Sequence, residues 1–327
     1  MNLLSLLGGF ALLLMGAESL VRGAAKLALQ LGISPLVVGL TVVAFGTSAP
    51  ELTVSIAAAI NGEASIALGN VVGSNVLNIL VILGASAVVT PLAVTQQLIR
   101  VEIPLMVVVS LVVWGMAAND NIGRLEGALL FGSLVIYLCW AVTKSKQETK
   151  AVQREYARSL GADEVSPAEQ ADNRTHWRLI LLQVALVCAG LAMLVLGANL
   201  LVQGAVGMAT SWGIPPAVIG LTIVAGGTSL PEVATSLMAA FRGEQDIAIG
   251  NVVGSNLFNL MSVLGGTAMV SATGIAVESS FLRFDFPVMV MAACICLPIA
   301  WTGQRVSRAE GLFLLASYVV YVVVTVV

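Results

Sequence analysis

Two glutamates stand in the middle of apolar segments: Glu51 in GLTVVAFGTSAPELTVS and Glu232 in GLTIVAGGTSLPEVATS. A carboxylate in such surroundings is costly to bury and marks a functional site by default. A proline precedes each acid. Pro50 has no N–H, and its ring crowds the carbonyl of Gly46, so the helix should kink or break there. Pro231 stands in the same relation to Gly227. The carbonyls freed near Gly46 and Thr47, and again near Gly227 and Thr228, then need partners from protein, water or an ion. Carboxylates and free carbonyls are hard oxygen ligands, which suit Na⁺ and Ca²⁺ better than softer metals.

The neighbouring polar residues are spaced to share helix faces. Thr47, Glu51 and Ser55 recur every four residues, as do Thr228, Glu232 and Ser236. On the next segment Asn70, Ser74 and Asn78 form a second stripe, repeated by Asn251, Ser255 and Asn259, with Asn75 and Asn256 to one side. Four helices thus offer polar faces in apolar surroundings, and those faces should meet in the bundle interior. The Asn and Ser residues alone could equally be hydrogen-bond glue between helices, and Gly69, Gly73, Gly250 and Gly254 read as close-packing positions. The two glutamates resist a structural reading, because no basic residue lies in the middle of any span to pair with them. Glu18 differs: Arg22 follows four residues later, as a surface pair would place it. Glu63, Glu244 and Asp246 fall in short loops, where water can solvate them.

Two buried carboxylates are neutralised by one Ca²⁺ or by two or more Na⁺. The empty pair would bury two like charges, which is strongly unfavourable. A carrier built on this site should cross between its two faces when loaded and resist crossing when empty, which is the behaviour of an obligatory exchanger. Protons should compete for the empty pair.

The surrounding composition is that of a membrane protein. Of 327 residues 58% are hydrophobic and only 10% charged, with a mean hydropathy of +0.98. Soluble domains carry about 25% charged residues. The net charge of −3 decides nothing, because its distribution matters more. Apolar stretches of bilayer-spanning length predict ten transmembrane helices over 3–21, 36–60, 64–89, 101–118, 124–142, 178–202, 215–240, 246–271, 284–301 and 308–327. The first lacks a basic leader and a small-residue cleavage site, so it reads as a retained span rather than a signal peptide. A charge-dense break over 143–177 is too short for a folded regulatory domain. The four cysteines, Cys139, Cys188, Cys294 and Cys296, lie in apolar segments and read as small buried hydrophobes. The single histidine, His176, lies in the polar break, so an imidazole metal site is excluded from the spans. No nucleic-acid partner, obligate protein partner or tightly bound cofactor is implied.

The two halves are copies. Residues 16–84 and 197–265 align without a gap, identical at more than half of their positions. Weaker likeness continues: Arg100, Glu102 and Pro104 match Arg283, Asp285 and Pro287, and Arg124-Leu-Glu-Gly127 matches Arg308-Ala-Glu-Gly311. The chain therefore divides into a first five-helix repeat over 1–142, a loop over 143–177 and a second repeat over 178–327. Five spans per repeat is an odd number, so the second copy enters the membrane inverted. With the N-terminus outside, all of the 15 lysines and arginines except Arg124 and Arg283 fall on the cytoplasmic side, as the positive-inside rule requires. Both termini are then outside a plasma membrane and 143–177 is cytoplasmic. Inverted repeats are a common construction for alternating-access transporters, with the site at the midplane.

These residues resemble the sodium/calcium exchanger family of the cation/calcium antiporter superfamily, in its bacterial and archaeal form. The likeness covers nearly the whole chain and is most specific in GTSAPE (46–51) with GNVVGSNVLN (69–78), and in GTSLPE (227–232) with GNVVGSNLFN (250–259). It implies an all-α polytopic membrane protein of ten helices in two inverted five-helix repeats. It also implies a central cluster of Ca²⁺ and Na⁺ sites and electrogenic exchange rather than enzymatic turnover. By motif position Glu51 and Glu232 would be the acidic ligands shared by Ca²⁺ and Na⁺, with backbone carbonyls from Thr47 and Thr228. Ser48, Ser229, Ser74 and Ser255 would serve flanking Na⁺ positions, and Asn78 and Asn259 would line the centre. Some members carry an aspartate at one of these last positions, whereas both are asparagine here. The alternatives are a Ca²⁺/H⁺ or K⁺-dependent antiporter of the same fold and, from another class, a passive cation channel. A channel would call for an acidic ring from symmetric subunits, and an intramembrane hydrolase for a catalytic set with histidine; the sequence offers neither.

Overall fold

Apolar runs free of breakers become long helices in the computed structural model, which describes residues 2–159, 173–212 and 225–326. Helix α1 (Asn2–Leu31) stops where Gly32 takes a left-handed φ of 64°. Ser34 then starts α2 (Pro35–Thr47): its Oγ accepts a 3.3 Å bond from the Val37 N–H, and Pro35 occupies the first turn, where its missing N–H costs nothing. Helix α3 (Ala49–Ile60) follows after a 43° bend at Ser48. The first repeat continues with α4 (Ala64–Val89), α5 (Leu98–Asn119) and α6 (Arg124–Ser159). The second contains α7 (Asn173–Ser211), α8 (Leu230–Arg242), α9 (Gln245–Val270), α10 (Phe281–Gln304) and α11 (Arg308–Val326).

Eight helices among the described residues are long and apolar enough to cross a bilayer, and α2 with α3 makes a ninth, broken span. Helix α8 is the counterpart of α3. The segment that would correspond to α2, and the start of the span expected over 215–240, lie outside the described residues. The protein is thus a multi-pass membrane protein, with the expected helices in the expected order.

The helices overrun the apolar segments that announced them. The span expected over 124–142 belongs to a helix that runs on to Ser159, and the span expected from 178 begins at Asn173. Part of the 143–177 break is therefore helical rather than loop. Hydropathy marks where a helix leaves lipid, while backbone hydrogen bonding stops only at a breaker. Residues 144–159 contain no Gly or Pro and are rich in Lys, Gln, Glu, Ala and Arg, all good helix formers. Lys144 and Glu148 pair across one turn at 3.7 Å. The cysteines also depart from expectation. Only Cys296 is buried; Cys139, Cys188 and Cys294 lie on the outer faces of the bundle, where lipid substitutes for a protein core.

The two repeats interlock by a pseudo-twofold relation. Along α1 and α7 a Cβ built on Gly16 would lie 2.8 Å from the Gly190 carbonyl oxygen, and one on Gly190 would lie 2.9 Å from that of Gly16. Contact is backbone to backbone in both directions, the use expected of small residues between membrane helices. At the centre α9 is buried without interruption from residue 247 to 265. It meets α2 so closely that a Cβ on Gly250 would lie 2.8 Å from the Leu36 carbonyl oxygen. Gly254 faces Leu40 in the same way, whereas the segment of the second repeat related to Leu36–Leu40 lies outside the described residues. Short strands stitch the repeats at both ends: β1 (Leu92–Ala93) pairs antiparallel with β4 (Arg305–Val306), and β2 (Asn121–Ile122) with β3 (Ile275–Ala276). Each pair takes one strand from each copy.

Candidate cation-binding site

The proline breaks deliver the two acids to the middle of the bundle. Pro50 and Pro231 occupy the first turns of α3 and α8, and Glu51 and Glu232 follow them directly. Glu51 is 0% exposed and Glu232 2%. Ser48 and Ser229 sit in the breaks themselves, with φ/ψ of −81°/4° and −87°/5°. The near-identity of these angles shows that both copies bend alike. Bending at the serine turns its hydroxyl away from its own helix, toward the other repeat.

The hydrogen bonds are crossed accordingly. Ser48 Oγ donates to Glu232 Oε1 at 3.1 Å, and Ser229 Oγ donates to Glu51 Oε1 at 2.9 Å. Ser229 Oγ also lies 3.2 Å from Ser74 Oγ, which brings α4 into the cluster. Thr47 Oγ1 donates to Asn251 Oδ1 at 3.1 Å, and Thr228 Oγ1 to Asn70 Oδ1 at 3.4 Å. Each of these asparagines turns its amide back to its own repeat. Asn70 Nδ2 donates to the Glu51 carbonyl oxygen (3.1 Å) and Ser55 Oγ (2.9 Å). Asn251 Nδ2 donates to the Glu232 carbonyl oxygen (3.5 Å) and Ser236 Oγ (2.8 Å). Asn70 and Asn251 are therefore struts that tie each acid-bearing helix to its neighbour and to the other copy. Their place in the polar stripes was legible in the sequence; their role across the pseudo-twofold was not, because it depends on which helix faces them.

What is left unpaired matters as much. Oε2 of both glutamates is buried with no hydrogen-bond partner, as are both side-chain polar atoms of Asn78 and Asn259 and the hydroxyl of Ser255. Buried polar atoms are nearly always satisfied, so each exception needs a reason. Neither glutamate has an ion-pair partner among the described residues. Asn78 and Asn259 each begin a π-helical stretch, Asn78–Leu83 and Asn259–Val263. Such insertions frequently mark functional sites, because the extra residue loosens the ladder and re-aims side chains. Asn75 and Asn256 are half satisfied: their amide nitrogens donate to their own helix, to the Val71 and Val252 carbonyl oxygens, at 2.7 and 2.8 Å, while Oδ1 of each is buried without a partner. Ser48 thus bonds Glu232, Ser229 and Ser74 gather at Glu51, Thr47 and Thr228 reach the acid-bearing helices through the struts, and Ser255, Asn78 and Asn259 remain buried and unbonded. The donor set is all oxygen apart from two amide nitrogens, and a hard cation would satisfy it.

Two acids outside this cluster, one buried and one half-buried, had drawn no role from the sequence. Glu102 is fully buried and accepts bonds from Tyr137 Oη and from Gln97 Nε2 (2.8 Å). Its counterpart Asp285 accepts from Tyr321 Oη at 2.9 Å. The acid–tyrosine pair clamps α5 to α6 in one repeat and α10 to α11 in the other. The repeat match at Glu102 and Asp285 was the available signal. Glu18 pairs with Arg22 as expected and also with Arg242 of α8, which the spacing could not reveal.

Comparison with known proteins agrees with this geometry. The sodium/calcium exchanger protein family matches residues 1–143 and 182–327. The chain is 38% identical over 317 residues to the putative antiporter CaxA of Alkalimonas amylolytica, covering 96% of this chain and 95% of that one. It is 33% identical to the sodium/calcium exchanger MaX1 of Methanosarcina acetivorans, covering 99% and 98%. Among solved structures, the sodium-calcium exchanger NCX_Mj soaked without Na⁺ and Ca²⁺ superposes with a TM-score of 0.83 at 28% identity, over 98% of each chain. The chain belongs to the sodium/calcium exchanger protein family, and it is a multi-pass membrane antiporter rather than an enzyme.

Proposed function

We propose that this antiporter exchanges Na⁺ for Ca²⁺ across the plasma membrane, with both ions using the cluster around Glu51 and Glu232. The carrying observation is the pair of buried carboxylates that hold each other's helix breaks through Ser48 and Ser229 while keeping one oxygen each unpaired. In this reading Glu51 and Glu232 supply the charge. Backbone carbonyls at Thr47 and Thr228, hydroxyls of Ser48, Ser229, Ser74 and Ser255, and the side-chain oxygens of Asn78 and Asn259 complete the ligand set. The protein's own contribution is to keep these oxygens fixed and dry, so that losing the cation leaves two like charges facing each other. That penalty ties crossing to loading. Because each acid is bonded to the opposite repeat, a rearrangement that opens one copy to one side must disturb the ligands held by the other. The termini lie outside and the 143–177 segment in the cytoplasm, on the strength of the Lys/Arg distribution.

A second reading, Ca²⁺/H⁺ exchange at the same site, is favoured by one observation: Asn occupies both central positions, so the cluster holds two acids and no third. Reconstituted vesicles separate the two. Ca²⁺ uptake driven by an imposed Na⁺ gradient at equal pH is expected; uptake that ignores Na⁺ and follows a pH gradient would transfer the assignment to protons, and dependence on K⁺ would show that K⁺ joins the cycle. Conductance without a counter-ion would point to a channel instead.

A further inference from the structure

A groove of about 610 Å³ opens on the outer surface between α5 and α6, away from the cation cluster. Its walls are apolar over most of its length: Leu105, Val109 and Val112 from α5, Leu130 and Ile136 from α6, and Met261 from α9 behind them. One end is different. There Arg100 and Trp140 line the groove, with Tyr137 just below. Lys144 lies over the Trp140 ring, its Nζ 4.9 Å from the ring centroid. Helices α5 and α6 are antiparallel neighbours, so Arg100, Trp140 and Lys144 mark one membrane end and Val112 and Leu130 point toward the midplane.

The charges at that end are poorly balanced by the protein. Arg100 is exposed and bonds through Nε to the neutral Gln96 at 3.1 Å, with no carboxylate partner among the described residues. Among the described residues Lys144 pairs with Glu148, at 3.7 Å and on its solvent side, and acts at longer range on the buried Glu102. Glu102 is the nearest buried acid, but it does not line the groove and its oxygens are engaged by Tyr137 and Gln97. Two cations and an amphipathic indole therefore face outward over an apolar trough. From Arg100 to Val112 the trough runs roughly 18 Å at 1.5 Å per residue. One leaflet of a hydrocarbon core is about 15 Å deep.

The geometry points to a specific site for an anionic phospholipid, its phosphate between Arg100 and Lys144 and one acyl chain in the groove between α5 and α6. Charge complementarity and depth select this occupant over a second protein, whose side chains would leave the two cations without a phosphate. In the orientation proposed above, the cationic end faces the cytoplasmic leaflet, where anionic lipid attracts basic residues. The other repeat does not reproduce the site: Arg283 matches Arg100 and Tyr321 matches Tyr137, but Val324 stands where Trp140 is. The acid–tyrosine clamp at Glu102 lies directly beneath the headgroup, so an occupant here would bear on the contact that holds α5 to α6.

Native mass spectrometry of the full chain, with equal amounts of phosphatidylglycerol and phosphatidylcholine added, tests this. Wild type should retain phosphatidylglycerol preferentially. Arg100→Gln and Lys144→Gln should each weaken retention roughly five-fold, the size expected for one basic residue at an anionic surface. Arg283→Gln, the related residue at the opposite end, should change nothing. Val112→Trp fills the apolar end with both cations intact and should also lower retention. Thermal unfolding of each variant in detergent shows whether it is folded. Equal retention of the two lipids, or undiminished retention in the folded double variant lacking both cations, would overturn the site. Undiminished retention in folded Val112→Trp would overturn the acyl-chain seat.

Discussion

At the scale of single residues the cluster is a problem of unpaired oxygen. Glu51 and Glu232 each commit one carboxylate oxygen to a serine of the other repeat and hold the second in reserve. Replacing either by glutamine keeps the shape and the serine bond but removes half of the site's charge. Glu51→Gln and Glu232→Gln should each reduce Ca²⁺ uptake in vesicles to the level of empty vesicles while leaving the protein folded by size-exclusion chromatography; wild-type uptake in either variant would remove the central assignment. Proton competition follows from the same pair. Cation binding requires both carboxylates ionised, so it releases any proton held by the empty site. The Ca²⁺ concentration giving half-maximal uptake should therefore rise as pH falls and drop as pH rises, a trend readable from uptake curves at a series of pH values. The struts act more gently. Asn70→Ala or Asn251→Ala removes interhelical bonds worth on average about 0.6 kcal/mol each in membrane proteins. A small fall in unfolding temperature with a larger loss of transport is expected.

At the scale of helices, function depends on where regularity is broken. Ser48 and Ser229 bend two spans, and prolines two residues later keep them from healing. The π-helical stretches at Asn78 and Asn259 loosen the two spans that cross the centre. Between these irregular places, packing is tight enough to transmit a shift rather than absorb it. Gly250 is the sharpest case, with the Leu36 carbonyl oxygen only 2.8 Å from the position of a Cβ. Gly250→Val should force α9 from α2 and cost roughly 1–3 kcal/mol, as overpacking of a filled interior does. Thermal unfolding in detergent measures it, and an unchanged transition would mean that α2 yields freely.

At the scale of the molecule the two copies are held as one body at three levels: α1 against α7 along their glycines, the crossed serine–glutamate bonds at the centre, and a two-strand ribbon at each end. The ribbons carry topological information. β1 and β4 follow odd numbers of spans from the first terminus, and β2 and β3 follow even ones, so each ribbon joins segments that an inverted repeat puts on the same side. Which side is cytoplasmic rests on charge. With the native cysteines removed, a cysteine in place of Lys150 should be shielded from an impermeant thiol reagent in intact cells and labelled after permeabilisation. Labelling in intact cells would reverse the orientation.

The sequence alone determined the repeat, the apolar spans, the proline breaks and the two misplaced acids, because each is a matter of composition or spacing along one chain. Through the resemblance of GTSAPE and GTSLPE to the family's motifs it also pointed to Ser48 and Ser229. It could not say that each serine serves the other copy's glutamate, that Asn70 and Asn251 bridge the copies, or that Glu102 rests under Tyr137. It also misjudged the helix ends and three of the cysteines. Hydropathy reports the solvent a segment prefers, whereas a helix continues until its hydrogen bonds fail, and burial depends on which face a neighbour covers. Only the tertiary structure decided those contacts. The bonds between the copies join residues more than a hundred positions apart, and partner choice at that distance is set by how the two inverted halves close on each other.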